Sequence, residues 1–272
     1  MVRRINIALL FLISLLQFSI AESQQRKANT SQSQFQAAKA GEASTVQSYK
    51  STTKVRILAQ FDFGQVTPSD LNSGRSEYQW NSFASSPGSF SAVSGYSFSL
   101  SYRLGGGFLG LNYSHASQEL SSGSINASGT TTVQDTFEYD LVGLVYDWNF
   151  QSQRSSSYDV GIGAGQAVKY RFHSFFNTAG VIEDLYWEDI PYYAKIYGGY
   201  SFHFSENVHL RTGLEYLYVT SGHLAADRNH PAITDSSGAP ITSGEIFRRL
   251  SGSAVKADLS GFKVSLGLGV AF

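Results

Sequence analysis

Gly261-Phe262-Lys263-Val264-Ser265-Leu266-Gly267-Leu268-Gly269-Val270-Ala271-Phe272 is apolar at every second position. Phe262, Val264, Leu266, Leu268, Val270 and Phe272 alternate with Lys263, Ser265, Gly267, Gly269 and Ala271. A side-chain period of two belongs to a strand with one oily face and one small or polar face. An open sheet would leave the edge of such a strand exposed. A closed membrane barrel pairs that edge with the first strand.

The same alternation recurs upstream. Val55, Ile57, Ala59, Phe61 and Phe63 share a face, as do Tyr96, Phe98, Leu100, Tyr102 and Leu104. Leu109, Leu111 and Tyr113 follow the turn Gly105-Gly106-Gly107. A fourth strand over Thr136 to Phe150 carries Val142, Leu144, Tyr146, Trp148 and Phe150. Its parity puts Glu138 and Asp140 on the oily side, so these two are expected above the bilayer or beyond a bulge. The fifth strand carries Tyr158, Val160, Ile162, Ala164, Val168, Tyr170 and Phe172 as its oily face. The sixth carries Tyr192, Ala194, Ile196, Tyr200, Phe202 and Phe204, and the seventh Val208, Leu210, Leu214, Tyr216 and Tyr218. The stretch Gly261–Phe272 is the eighth.

The connections alternate in length. Long ones cover Gln65–Ala92, Ala116–Asp135, His173–Glu188 and Ser221–Ala254, and short turns lie between. The sequence therefore predicts an all-β, antiparallel transmembrane barrel of eight strands with four long extracellular loops. Ten strands result if a long loop, the last above all, hides a further hairpin. Tyr102, Tyr113, Trp148, Tyr158, Tyr192 and Tyr216 are placed for interfacial girdles.

The other end of the chain agrees. Met1-Val2-Arg3-Arg4 is basic, Ile5 to Ile20 is apolar, and Ser19-Ile20-Ala21 offers a small-residue cleavage site. Residues 1–21 are expected to be a signal peptide, and 22–53, rich in Gln, Ser, Ala and Lys, a flexible periplasmic tail. Residues 54–272 form the barrel domain. Cys is absent, which excludes disulfide and thiol chemistry. The formal net charge of −1 gives no electrostatic case for nucleic acid.

An eight-stranded barrel is only wide enough for its inward side chains to fill. The polar faces bring Asp62, Arg103, Asp159, Lys169, Arg171, Lys195, Arg211, Glu215 and Lys263 inside. Buried charges must be paired or solvated, so an internal ion-pair network with trapped water is expected rather than an open channel. Gly161, Gly163, Gly165, Gly267 and Gly269 leave room for longer neighbours. Because the glycines alternate within strands and no helix follows them, they are not a nucleotide loop.

On these residues the chain resembles the small eight-stranded outer-membrane barrels of the OmpA/OmpX type, the outer membrane protein beta-barrel domains. The resemblance covers Lys54 to Phe272 and rests on architecture, not on a sharp motif. It implies residence in a Gram-negative outer membrane and contact with its lipid and lipopolysaccharide. It also implies that Phe262, Leu266, Leu268, Val270 and Phe272 form the signal read by the barrel-assembly machinery. Members act as anchors, adhesins or surface-interaction proteins, and some as narrow channels.

Chemistry-bearing residues are few. His173 and Ser174 sit near the top of the fifth strand and suggest a rim hydrolase of lipid A or peptide, but adjacent strand residues point opposite ways. His223, Asp227 and His230 would share a face only on a helix, and Pro231 argues for a loop. Glu183, Asp184, Glu188 and Asp189 make the third loop acidic, a solvated rim or a contact for divalent cations bridging lipopolysaccharide. The expected protein is a non-enzymatic, monomeric surface or structural barrel without cofactor, metal or catalytic residue. Its specificity, for a surface ligand not named by the sequence, lies in the long loops. A narrow channel for small solutes is the second reading, and the rim hydrolase the third.

Overall fold

The computed structural model describes residues 54–77, 88–126, 129–153, 155–178, 181–205, 207–234, 239–249 and 251–272. The expected signal peptide and tail lie outside the described residues. In chain order the elements are β1 (Val55–Thr67), α1 (Ser69–Glu77), β2 (Val93–Leu104), β3 (Gly107–Asn126), β4 (Gly129–Gln153), β5 (Ser156–Thr178), β6 (Val181–Glu188), β7 (Tyr192–His203), β8 (Val208–Thr220), β9 (Ala225–Ala226), β10 (His230–Thr234), β11 (Pro240–Ile241) and β12 (Leu259–Ala271).

The wall is a closed ring of eight antiparallel strands, β1-β2-β3-β4-β5-β7-β8-β12, shut by the pairing of β12 with β1. That last seam runs from Arg56 opposite Ala271 to Thr67 opposite Ser260. The Phe272 carbonyl accepts the backbone N–H groups of Lys54 (2.6 Å) and Val55 (3.1 Å). The ring closes on itself, so its strands are paired on both sides at bilayer depth.

The outer surface is inverted relative to a water-soluble protein. Phe61 is 67% exposed and Leu268 57%, while Asp62 is 5% and Lys263 2% exposed. Only lipid makes that arrangement favourable. From Phe262 to Phe272 the apolar face of β12 covers about 33 Å of strand, or about 25 Å of height at a tilt of ~40°, the thickness of a barrel's apolar band. The turn between β2 and β3 needs Gly105, whose φ of 61° is unfavourable for any residue with a Cβ.

At the long-loop end the structure first corrects two of the expected loops. Ala116–Asp135 is not a loop: β3 and β4 run on past the apolar band and pair as far as Asn126 and Gly129. His173–Glu188 is a hairpin in which the upper part of β5 pairs with β6. The last long connection carries β9, β10 and β11, but these lie above the wall, which keeps eight strands.

The third correction concerns parity. Asp140 faces Lys169 and Leu141 faces Ala167, so Val168 is an extra residue on β5. This bulge sits where β5 leaves β7 and takes up β6. Above it the faces swap. Tyr170, Phe172 and Ser174 turn inward and are buried, and Lys169, Arg171 and His173 turn outward. Lys169 and Arg171 are therefore not lumen residues, and Tyr170 and Phe172 do not face lipid.

Candidate functional site

The lumen is filled in layers that the strand alternation stacks one above another. Nearest the short turns, Arg56 from β1 pairs with Asp147 from β4, and Arg211 from β8 pairs with Asp159 from β5. Arg211 Nε lies 3.1 and 3.2 Å from the two Asp159 oxygens, and the Tyr197 hydroxyl donates to Asp147. Gly161 is what lets this cluster form, since a Cβ there would meet the Tyr197 ring and Asp147 Oδ1. Arg103 stays at the mouth, with its guanidinium 5.8 Å from the Phe108 ring centre.

One layer higher, Glu215 accepts from Lys195 (2.9 Å) and lies 2.8 Å from Lys263. Lys195 also donates to Asn112 at 2.8 Å, and Lys263 is 3.9 Å from Asp62. Each layer carries two cations and two anions and is electrically neutral. Neutral, mutually paired layers are how charge survives burial. Together they leave a cavity of about 30 Å³, room for about one or two waters.

Above the ion pairs the filling becomes apolar. Val66, Phe137, Tyr139, Leu141, Tyr170, Phe172, Leu217 and Val219 from the wall pack with Leu185 and Trp187 of β6 and with Phe247, Val255 and Ala257 of the last connection. Phe247 stacks on Trp187 (4.9 Å) and Phe172 (6.2 Å). Helix α1 closes the other side with Leu71 and with Arg75, which is 2% exposed. Arg75 pairs with Asp135, which also accepts from Ser174, and its guanidinium lies 4.5 Å over the Phe90 ring. Asp70 in the first turn of α1 accepts from Arg249 and from the Lys256 backbone N–H (2.7 Å), tying the helix to the last connection. The short helix is held by these tertiary contacts, since nine residues are too few to be stable alone.

Outside the wall, just above the apolar band, runs a charged and aromatic row. Asp140 accepts from Tyr113 (3.1 Å) and pairs with His115 (2.7 Å). Glu138 pairs with Lys169 at 2.8 Å, and Arg171 with Glu188. Tyr186 carries His173 stacked at 4.2 Å on its ring and lies near the guanidinium groups of Arg171 and Arg228. Glu138 and Asp140 thus keep their outward parity above the band, where Asp140 meets His115 of β3 and the bulge in β5 brings Lys169 to the same face as Glu138.

The remaining sequence candidates separate. His173 faces outward and pairs with Asp184, whereas Ser174 is buried and donates to Asp135. The two share no site. His223 is in irregular structure, and His230 is buried with Nε2 at 3.5 Å from Asp227. Among the described residues no group of three or more His, Cys, Asp or Glu is gathered for a metal. Phe262, Leu266, Leu268 and Val270 lie on the outward face of β12, and Phe272, exposed, follows its last residue. Arg56 and Asp147 were missing from the sequence's lumen set. Both sit at the polar parity of their strands, and Asp147 lies between the outward Tyr146 and Trp148, which is the signal that could have found it.

With the geometry in place, comparison with known proteins assigns no family. No protein-family model matches the chain, and no curated protein is similar to it. Solved structures are similar in fold. The Neisserial surface protein A is 13% identical over 80% of this chain and 97% of its own, at a TM-score of 0.39. The outer membrane protein OprG from Pseudomonas aeruginosa is 8% identical over 81% and 96%, at 0.41. The outer membrane protease OmpT from Escherichia coli is 9% identical over 85% and 100%, at 0.36.

Proposed function

We propose that this chain is an outer-membrane protein of a Gram-negative bacterium whose role is structural or surface-interacting and non-enzymatic. Its long-loop end would face the outside, and its specificity would lie in the crown of β3–β6 and the connections around it. The observation that carries this is the contrast between a lumen filled at every level and a wall that continues past the lipid band. β3 pairs with β2 only as far as Ser117, where Ser94 is its partner. Just beyond, Gln118 Oε1 accepts the N–H groups of Ser91 (2.9 Å) and Ala92 (3.1 Å). Above that point no strand pairs with this side of β3 among the described residues, although β3 and β4 stay paired to Asn126. An unpaired strand edge offers a row of N–H and C=O groups to an extended partner.

In this reading the protein is a monomer that meets lipopolysaccharide along the charged row and the barrel-assembly machinery through the Phe272 strand, and it does not bind nucleic acid. The two neutral layers and the apolar cap argue against a narrow channel. The opposite orientations of His173 and Ser174 argue against a rim hydrolase.

The test uses proteoliposomes carrying the full chain or a variant whose β3–β4 crown is shortened by removing residues 119–134. Both should show the heat-dependent gel shift of a folded barrel, and neither should let small sugars through. Only the full chain should be retained on a panel of extracellular-matrix proteins and sulfated polysaccharides. Sugar permeation through the full chain, or retention unchanged by the shortening, contradicts the proposal.

A further inference from the structure

We infer that His203 and His209 form a binding site for a divalent cation of the zinc, nickel or copper class at the short-turn mouth of the lumen. His203 ends β7 and His209 is the second residue of β8, and the two are direct cross-strand partners flanking the turn. Both lie on inward parities. Their ring centres are 5.3 Å apart with planes inclined at 41°. Two imidazole nitrogens bound at about 2.0–2.1 Å to one tetrahedral ion stand ~3.3 Å apart, a spacing that rings 5–6 Å apart provide.

A second observation points the same way. His209 is 3% exposed, and its Nδ1 has no hydrogen-bond partner. A buried ring nitrogen left without a partner calls for an explanation, and a metal ion supplies one. His203 Nε2 lies 3.0 Å from Ser157 Oγ, a contact that orients its ring. Across the other seam of β8, Gly269 faces His209, and a Cβ there would collide with the imidazole. The full charges that act on His209 are Arg56, Arg211 and Asp159, and each arginine is paired with an aspartate in the ion-pair layer beside it. The cation would complete its shell with water entering from the mouth, and neutral imidazole selects borderline metals over magnesium or calcium. Bound there, it would tie β7 to β8 at the turn.

The full chain, free of affinity tags and refolded in detergent micelles, is titrated with Zn²⁺ by calorimetry and with Cu²⁺ by electron paramagnetic resonance. The expected result is uptake of one ion with a two-nitrogen signature. Affinity should fall tenfold or more in both His203→Ala and His209→Ala and stay unchanged in His173→Ala, with the heat-dependent gel shift retained. If His209→Ala fails to fold, His209→Gln fills the same space and carries the same expectation. No uptake by the parent chain, or uptake indifferent to both substitutions, overturns the inference.

Discussion

Deleting Val168 is expected to leave the barrel folded, whereas deleting Arg171 should destabilise it severely. Val168 and Lys169 both point outward, so removing Val168 leaves Ala167 inward, Lys169 outward and Tyr170 inward in strict alternation. Removing Arg171 breaks the native faces whichever way the strand adjusts. If the bulge stays, Phe172, 0% exposed, turns outward and His173 turns inward. If the bulge is absorbed, Tyr170, 1% exposed, turns outward and Lys169 turns into the apolar cap. An aromatic turned outward gives up ~1.5–3 kcal/mol of burial. A cation brought inside without its partner costs several kcal/mol more. Their sum is comparable with the ~5–15 kcal/mol that holds a domain together. Refolding into micelles, read by the heat-dependent gel shift, checks this. A Val168-deleted chain that fails to fold, or an Arg171-deleted chain as stable as the parent, would show that the bulge does not set the faces.

Removing the Glu215 carboxylate is the second large change. Glu215→Ala leaves Lys195 with Asn112, and leaves Lys263, 2% exposed, with only Asp62 at 3.9 Å. Breaking a buried pair by deleting one partner typically costs ~3–5 kcal/mol, because the orphaned charge stays buried. The double variant Glu215→Leu with Lys195→Met leaves that layer neutral and should recover most of the loss. Equilibrium unfolding in urea with added lipid measures both. Equal destabilisation of the single and double variants would mean that charge balance is not what holds this layer.

The difference between the two ends of the barrel explains what the sequence could reveal. Inside the bilayer, alternation alone identifies the eight wall strands, since lipid fixes which face is oily. Above it water replaces lipid, and the apolar face must move from outside to inside. In β4 the change is written in the chain as the adjacent pair Leu141-Val142, one buried and one exposed. In β5, Lys169-Tyr170-Arg171-Phe172 alternates equally well with either set inward, so only the Val168 bulge reveals the answer. The extension of β3 and β4 was hidden because Ser121 to Thr132 has almost no large apolar residue to show a period, although the strands pair throughout.

The lumen was partly legible for the same reason. Asp62, Asp159, Lys195, Arg211, Glu215 and Lys263 lie below the parity change, and the structure brings them into two clusters. Lys169 and Arg171 lie above it and leave the set. The cap was not legible. Leu71, Phe90, Phe247 and Val255 are scattered over two connections without periodicity, and they meet only after the wall has closed.

The most direct test of a filled lumen is the conductance of the full chain in a planar bilayer, after its folding has been checked by the heat-dependent gel shift. Neutral ion-pair layers beneath an apolar cap give a silent barrel. Reproducible conductance steps that change when Glu215 or Lys263 is neutralised would show a continuous wet path and contradict the closed lumen.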